Sequence, residues 1–402
     1  MTRFSSKWIL SHSTWYKFSR SGQYISINVG SGSPQEAAEW LEYMTSAQPT
    51  TLAQERAANG HRAPYKVGYL GIGNESWGCG GHMTADYYLS QLKIYGRFVR
   101  NFNPAQQGGE HMLKTAVGPS GADTQWTEAI MKAYQSGDAS WNISGLSMHS
   151  YTVVRWPPSF ASVGFGETEY AQILKSTLEM EDLVTKQSAV MDKYDPQEKV
   201  ALVVDEWGAW YAPLPGSNPG FLIQQNSLRD AILAALNLNI FARHADRVRM
   251  ANIAQMINVL QAMTMTDKEK MVLTPTYYVF KMYVPFHDAT LVPVSFDAGI
   301  YTHGNISLPR VDAMAAKDPT GKLWLEITNV DPNEPVEIEV SLAGISAKSA
   351  VGETLTAAKV DSVNTFDAAN TVVPKPISSK VQGGKLVLKL GPKSVTVISV
   401  EQ

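Results

Sequence analysis

Between Gln23 and about residue 270, short apolar runs rich in β-branched residues alternate with longer stretches in which apolar positions recur at helical spacing. The candidate strands are Gln23–Val29, Val67–Gly73, Met112–Val117, Ile143–His149, Val200–Val204 and Arg247–Ile253. Each runs into a glycine or a polar residue at its carboxyl end. Among the helices, Thr84 is placed to cap one in which Tyr88, Leu92, Tyr95 and Val99 share a face. Phe221 to Ala242 reads as another, with so few charges that it should be well buried. Strands alternating with helices predict a parallel α/β sheet, open or closed into a barrel.

Beyond about residue 275 the period drops to two. Leu323, Leu325 and Ile327 fall on one face of a run and Trp324, Glu326 and Thr328 on the other. Val336–Leu342, Leu386–Leu390 and Val395 with Val397 alternate likewise, between turns of Gly, Pro, Asn and Asp, which predicts an antiparallel β-sandwich. The chain therefore divides into residues 22–274 and 275–402, with Leu273–Val294 assignable to either, after an unmatched leader at 1–21.

Composition narrows the function classes. With 34 basic and 37 acidic residues, the net charge of −3 supplies no electrostatic footprint for nucleic acid or an anionic membrane. No run approaches 18 apolar residues, so no membrane-spanning helix is expected. The single cysteine, Cys79, excludes a disulfide framework and a multi-thiolate metal site. Ten Trp and 17 Tyr are enough flat aromatic surface to serve sugar rings as well as cores.

Two motifs carry chemistry. Tyr69–Gly81 is a strand ending in Asn74-Glu75 and a glycine-rich loop containing Trp77, and Leu202–Tyr211 is a hydrophobic strand ending in Asp205-Glu206 and aromatics. Barrel enzymes keep their active sites at the carboxyl ends of parallel strands. Two glutamates at such ends can face one another and hydrolyse a glycoside, one protonating the leaving oxygen while the other attacks or activates water. A lone strand-end Glu is ordinarily an ion-pair partner; two of them, accompanied by Asn, Trp and His at matching strand ends, favour catalysis. Gly71 and Gly73 lack the third glycine of a dinucleotide loop, and Glu75 stands where a pyrophosphate would sit. Cys79 reads as structural rather than nucleophilic.

The blocks GIGNESWGCGGHMT (71–84), SMHSYT (147–152), DEWGAWY (205–211), ANIAQMINVL (251–260) and LTPTYYVF (273–280) resemble, in order, those of the α-L-arabinofuranosidases of glycoside hydrolase family 51. The resemblance covers about nine-tenths of the chain. It implies a (β/α)8 TIM-type barrel followed by an antiparallel β-sandwich, with Glu75 as acid/base and Glu206 as nucleophile of a retaining exo-acting enzyme. The implied substrates are arabinan, arabinoxylan or their oligosaccharides. It further implies that Trp210 and Gln255 shape the sugar pocket and that His149 lies in its wall, although His149 also reads as a satisfied structural histidine. Asn74 is placed to bond the sugar 2-hydroxyl, Tyr151 to donate to Glu206, and Trp77 either to line the pocket or to pack the loop. No metal or organic cofactor is expected, and a homo-oligomer and a cytoplasmic location are. The alternatives are a related retaining β-xylosidase or endoglucanase, and a remnant that only binds carbohydrate.

Only six barrel strands are identifiable. The family's first two should precede Gln23, carrying a glutamate before a His-Leu-Gly turn and an Arg-Trp-Pro-Gly-Gly-Cys block, and neither block is present. The expectation is an N-terminally incomplete barrel with Gln23–Val29 and Arg247–Ile253 as edge strands. The wall beneath them, carrying Ile25, Ile27, Val248 and Met250, should be apolar and exposed, and activity weak or lost.

Overall fold

The structure is a computed structural model and describes residues 23–107, 111–137, 141–342, 347–382 and 385–401. The expectation about the leader at residues 1–21 falls outside them. In chain order the first half runs β1 (Gln23–Ile27), α1 (Pro34–Thr45), α2 (Thr51–Ala58), β2 (Val67–Ile72), α3 (Ala85–Phe98), β3 (Leu113–Ala116), α4 (Thr124–Gln135), β4 (Gly145–Thr152), α5 (Glu167–Tyr194), β5 (Ala201–Ala209), α6 (Leu228–Arg243) and β6 (Val248–Ile253). The six strands form one sheet in the order β1-β2-β3-β4-β5-β6, every pair parallel. This is a curved, barrel-type sheet in which β1 and β6 are the two end strands of the described residues.

The wall beneath those ends is not exposed. Ile27, Val248 and Met250 are each 2% accessible, and Ile25 is half-buried. Tyr24 of β1 and Tyr69 of β2 pack in one cluster with Ala201 and Val203 of β5 and Met250 of β6. Large aromatic side chains thus bridge the lumen from one end of the sheet to the other.

Local signals account for the helices. Thr84 accepts a hydrogen bond from the Tyr87 amide and caps α3, whose buried face is Tyr88, Leu92 and Tyr95. Helix α6 begins at Leu228 rather than Phe221, because Ser227 and Asp230 form a capping box there. Its first amides, those of Leu228 and Arg229, then donate to the carbonyls of Ser362 and Val360, far along the chain, instead of to a preceding turn.

After β6 come the hairpin β7 (Thr264–Asp267) and β8 (Lys270–Leu273), helix α7 (Pro275–Met282), strand β9 (Thr290–Val292) and the hairpin β10 (Ile300–His303) and β11 (Ile306–Pro309). There follow β12 (Val311–Lys317), β13 (Leu323–Asn329), β14 (Val336–Val340), β15 (Ser349–Leu355), β16 (Lys375–Gln382), β17 (Lys385–Leu390) and β18 (Ser394–Glu401). Eight of these form an antiparallel sheet, β14-β17-β16-β15-β18-β13-β12-β9. Leu386, Leu388 and Leu390 of β17 share a buried cluster with Val311 of β12 and Leu323, Leu325 and Ile327 of β13, so the sheet folds over on itself as a sandwich.

The opposite face of β13 is also buried, against the barrel. Glu326 and Thr328 are wholly inaccessible, and Trp324 packs on the barrel core. Asn239 of α6 donates to Glu326 Oε2 at 2.6 Å and to Asp312 Oδ2 at 3.0 Å, and accepts from the Tyr283 hydroxyl at 2.9 Å. Arg243 Nη1 reaches Asp312 Oδ1 at 3.0 Å. This polar cluster joins the two halves.

Burial raises the Glu326 carboxyl from its ordinary 4.5 to about 8, with Asp312 adding to the shift and its hydrogen-bond donors opposing it. The folded state therefore keeps a proton that the unfolded chain has released, and stability falls as pH climbs from about 4.5 to about 8. One such proton is worth roughly 1.4 kcal/mol per pH unit at most. Glu326→Gln is expected to flatten this slope and to raise the melting temperature relative to wild type only toward the alkaline end. Thermal melts across that range check it; parallel pH dependences for the two proteins would refute it.

Candidate active site

The acidic end of the first motif is built by backbone geometry. Gly73 has φ +96° and Glu75 φ +43°, the left-handed region that a non-glycine residue enters only under constraint. The constraint is a tight turn in which the amides of Gly78 and Gly80 both donate to the Glu75 carbonyl, at 2.8 and 2.9 Å. A Cβ on Gly80 would lie 1.8 Å from the Asn74 carbonyl oxygen. The glycine-rich loop therefore exists to aim Glu75.

The second motif departs from a regular strand. From Ser147 to His149 on β4 is two residues, while the matching run on β5, Val203 to Glu206, is three. The β5–β6 register slips in the same stretch, between Val204 and Trp207. An extra residue there is a β-bulge, and it lets consecutive side chains that would alternate across the sheet serve one side. Asp205 and Glu206 accordingly both reach His149.

His149 is the hub. Its Nδ1 lies 2.9 Å from Glu75 Oε1 and 3.1 Å from Glu206 Oε2, and its Nε2 lies 3.3 Å from Asp205 Oδ1. One donor atom from each of Glu75, His149 and Glu206 falls within 4.8 Å of the others. Tyr151 donates to Glu206 Oε1, the Cys79 thiol donates to Glu75 Oε2 at 3.1 Å, and Tyr24 donates to Asp205 Oδ2 at 2.8 Å. Trp77 sets its edge toward the His149 ring, 6.4 Å between centroids, and donates Nε1 to the Gly118 carbonyl at 3.1 Å. Trp210 meets Tyr151 edge to face at 5.0 Å. Asn74 and Gln255 are solvent-exposed at the ends of β2 and β6.

Electrostatics follow from this arrangement. Burial by itself would pull the His149 imidazole down, but Asp205, Glu75 and Glu206 outweigh it and raise it to about 10. The ring is an imidazolium at neutral pH, with Nδ1 donating to Glu75 and Nε2 ion-paired with Asp205. The His149 hydrogen bond holds the Glu75 carboxyl below its ordinary value, helped by Cys79 and opposed by burial. Burial pushes Glu206 up, against His149 and the Tyr151 hydroxyl. Burial and the Glu206 charge push the Tyr151 phenol up, so it stays a donor.

Of the residues singled out from sequence, the structure brings Glu75, Glu206, His149, Tyr151, Trp77 and Trp210 into one contact network. Cys79, read as structural rather than nucleophilic, is exposed, and its thiol donates to Glu75. Sequence reasoning missed Asp205 and Tyr24. Asp205 stood inside a quoted motif, and its only signal was an acid doublet whose first charge had no assigned partner.

The chain resembles known proteins in both sequence and fold. The family model described as α-L-arabinofuranosidase C-terminal domain matches residues 205–394, and that described as α-L-arabinofuranosidase 1 domain matches residues 12–153. An intracellular exo-α-L-arabinofuranosidase of Bacteroides ovatus is 42% identical, over 94% of this chain and 72% of its own. The crystal structure of a GH51 arabinofuranosidase from Xanthomonas axonopodis pv. citri superposes with a TM-score of 0.88 at 46% identity, covering 94% of this chain and 76% of that one. An α-L-arabinofuranosidase from Thermotoga maritima, in complex with arabinose, does so with 0.77 at 26%, with the same coverage. Likeness of this extent in both sequence and fold is that of kin: the chain belongs to glycoside hydrolase family 51, the α-L-arabinofuranosidases.

Proposed function

We propose that the chain is a retaining exo-glycosidase that releases terminal non-reducing α-L-arabinofuranosyl residues from arabinan, arabinoxylan or arabino-oligosaccharides. The observation that carries the reading is the pair of glutamates, with carboxylate oxygens within 4.8 Å of each other, in a member of this family. Retention through a covalent intermediate needs carboxyls about 5 Å apart; inversion needs a gap wide enough for water between them. The Bacteroides ovatus relative is named an intracellular enzyme, and an intracellular site of action belongs to the same proposal.

In this reading Glu206 attacks the anomeric carbon while Glu75 protonates the departing oxygen. Water, deprotonated by Glu75, then hydrolyses the glycosyl-enzyme. Tyr151 keeps the buried Glu206 ionised by donating to it. Asn74, beside the acid/base, bonds the sugar 2-hydroxyl, a contact that strengthens as the oxocarbenium-like transition state forms. Trp77, Trp210 and Gln255 shape the pocket. No step calls for a metal or an organic cofactor.

A panel of nitrophenyl glycosides tests the substrate class. Turnover of the α-L-arabinofuranoside, with the released sugar first appearing in its starting anomeric configuration, is expected. Preference for the β-xyloside, or binding of arabino-oligosaccharides by calorimetry with no turnover, would overturn it.

Variants test the roles. Glu206→Ala should lose turnover on every substrate, since no nucleophile remains. Glu75→Ala should lose about 10²–10⁴-fold on alkyl arabinofuranosides but far less on aryl ones with good leaving groups. Azide should partly restore it, because a small anion can discharge the glycosyl-enzyme without a general base. Identical responses from the two variants would show the assignment to be wrong.

Tyr151→Phe tests the electrostatics. Removing the phenol donor leaves burial to push Glu206 further up, so more alkaline conditions are needed to ionise it. The acidic limb of the kcat/KM profile should move to higher pH, with kcat falling about tenfold or more. An unmoved acidic limb would count against Glu206 as the group that must be ionised.

A further inference from the structure

The acid/base poses a problem that the retaining reading leaves open. Glu75 must deliver a proton, yet in the free enzyme its carboxyl is held low by the His149 hydrogen bond. The group in contact with Glu75 can hold that proton. His149 is 6% accessible and caged by three carboxylates: Glu75 from the loop after β2, and Asp205 and Glu206 from the bulge of β5. Asp205 Oδ1 is buried, has no hydrogen-bond partner among the described residues, and faces Nε2 at ion-pair distance, 3.3 Å. Its Oδ2 is occupied by the Tyr24 hydroxyl from β1. The remaining titratable groups at the cage are the Tyr151 hydroxyl on Glu206, from β4, and the Cys79 thiol on Glu75; both are donors to the carboxylates and neither competes for the imidazole.

We propose that His149 is the proton donor to Glu75, with Asp205 and Tyr24 as positioning residues that hold its Nε2–H and so leave the Nδ1 proton as the movable one. The proposal rests on the retaining reading above and deepens it. The Nδ1–H bond breaks as an O–H bond forms on Glu75 Oε1, the electron pair staying on Nδ1. Glu75 passes a proton to the glycosidic oxygen as its bond to the anomeric carbon breaks and Glu206 bonds to that carbon. His149 is then neutral, with Nε2–H still on Asp205, and Glu206 is an uncharged ester. One negative and one positive charge are thus lost together, so the net charge of the buried site does not change. In the second half Glu75 takes a proton from the attacking water and returns it to Nδ1, while Glu206 departs as a carboxylate.

The contrasting possibility is that the cage is only a structural anchor, and two measurements on the full chain separate the two. First, 15N NMR of wild-type protein labelled at histidine should show His149 doubly protonated up to about pH 8, as its raised pKa requires. A neutral His149 at about pH 6 would overturn the proposal. Second, Asp205→Asn removes the charge facing Nε2 while keeping the shape. It should move the basic limb of kcat/KM down by about one unit or more. Its kcat loss should be at least about tenfold greater on an alkyl arabinofuranoside than on the dinitrophenyl one, which needs little protonation. An equal loss on both substrates with an unmoved basic limb would mean an anchor and overturn the proposal. Should Asp205→Asn not fold, the wild-type titration decides by itself. Wild-type protein that turns over no arabinofuranoside would fail the retaining reading, a different failure that the NMR titration does not share.

Discussion

A single buried cation among three carboxylates governs this site. Glu75, Asp205 and Glu206 cannot all stay ionised in a confined space unless something offsets their repulsion, and the His149 imidazolium is the group in contact with all three. Removing one member of such a buried arrangement typically costs about 3–5 kcal/mol, because the remaining charges are left uncompensated. Since the folded pKa of His149 is raised, its contribution to stability is complete below its unfolded value of about 6.5. That contribution is lost as pH rises through about 10. The same interaction ties stability to chemistry: the proton that holds the site together is one the reaction can use.

The second half of the molecule supports this arrangement through β5. Trp207, next to Glu206, is fully buried and packs on Phe241 of α6 and Phe280 of α7, with ring centroids 5.2 and 6.1 Å away. Tyr211, just past the strand, donates to Asp230 of α6 at 2.8 Å. Arg229, from the same turn of α6, lies between the rings of Phe165 and Tyr211. Helix α6 is in turn fastened to the sandwich by Asn239, Arg243 and the carboxylates of Asp312 and Glu326. The sandwich therefore backs, through α6, the strand that carries Glu206.

The sequence by itself determined the elements, because each rests on local chemistry. Period-two runs give strands, and Thr84 caps a helix. It was also enough to single out Glu75 and Glu206, since an acid at the end of an apolar strand is a local pattern. What only the tertiary structure decided are the features set by register and long-range packing. Alternation along β13 separates Glu326 from Leu325 but does not reveal that the polar face is buried against α6. A doublet such as Asp205-Glu206 should point to opposite faces of a strand, and only the bulge set by pairing with β4 and β6 turns both toward His149. Tyr24 lies 181 residues from Asp205 in the chain, and the curvature of the sheet, which no local pattern encodes, brings them together.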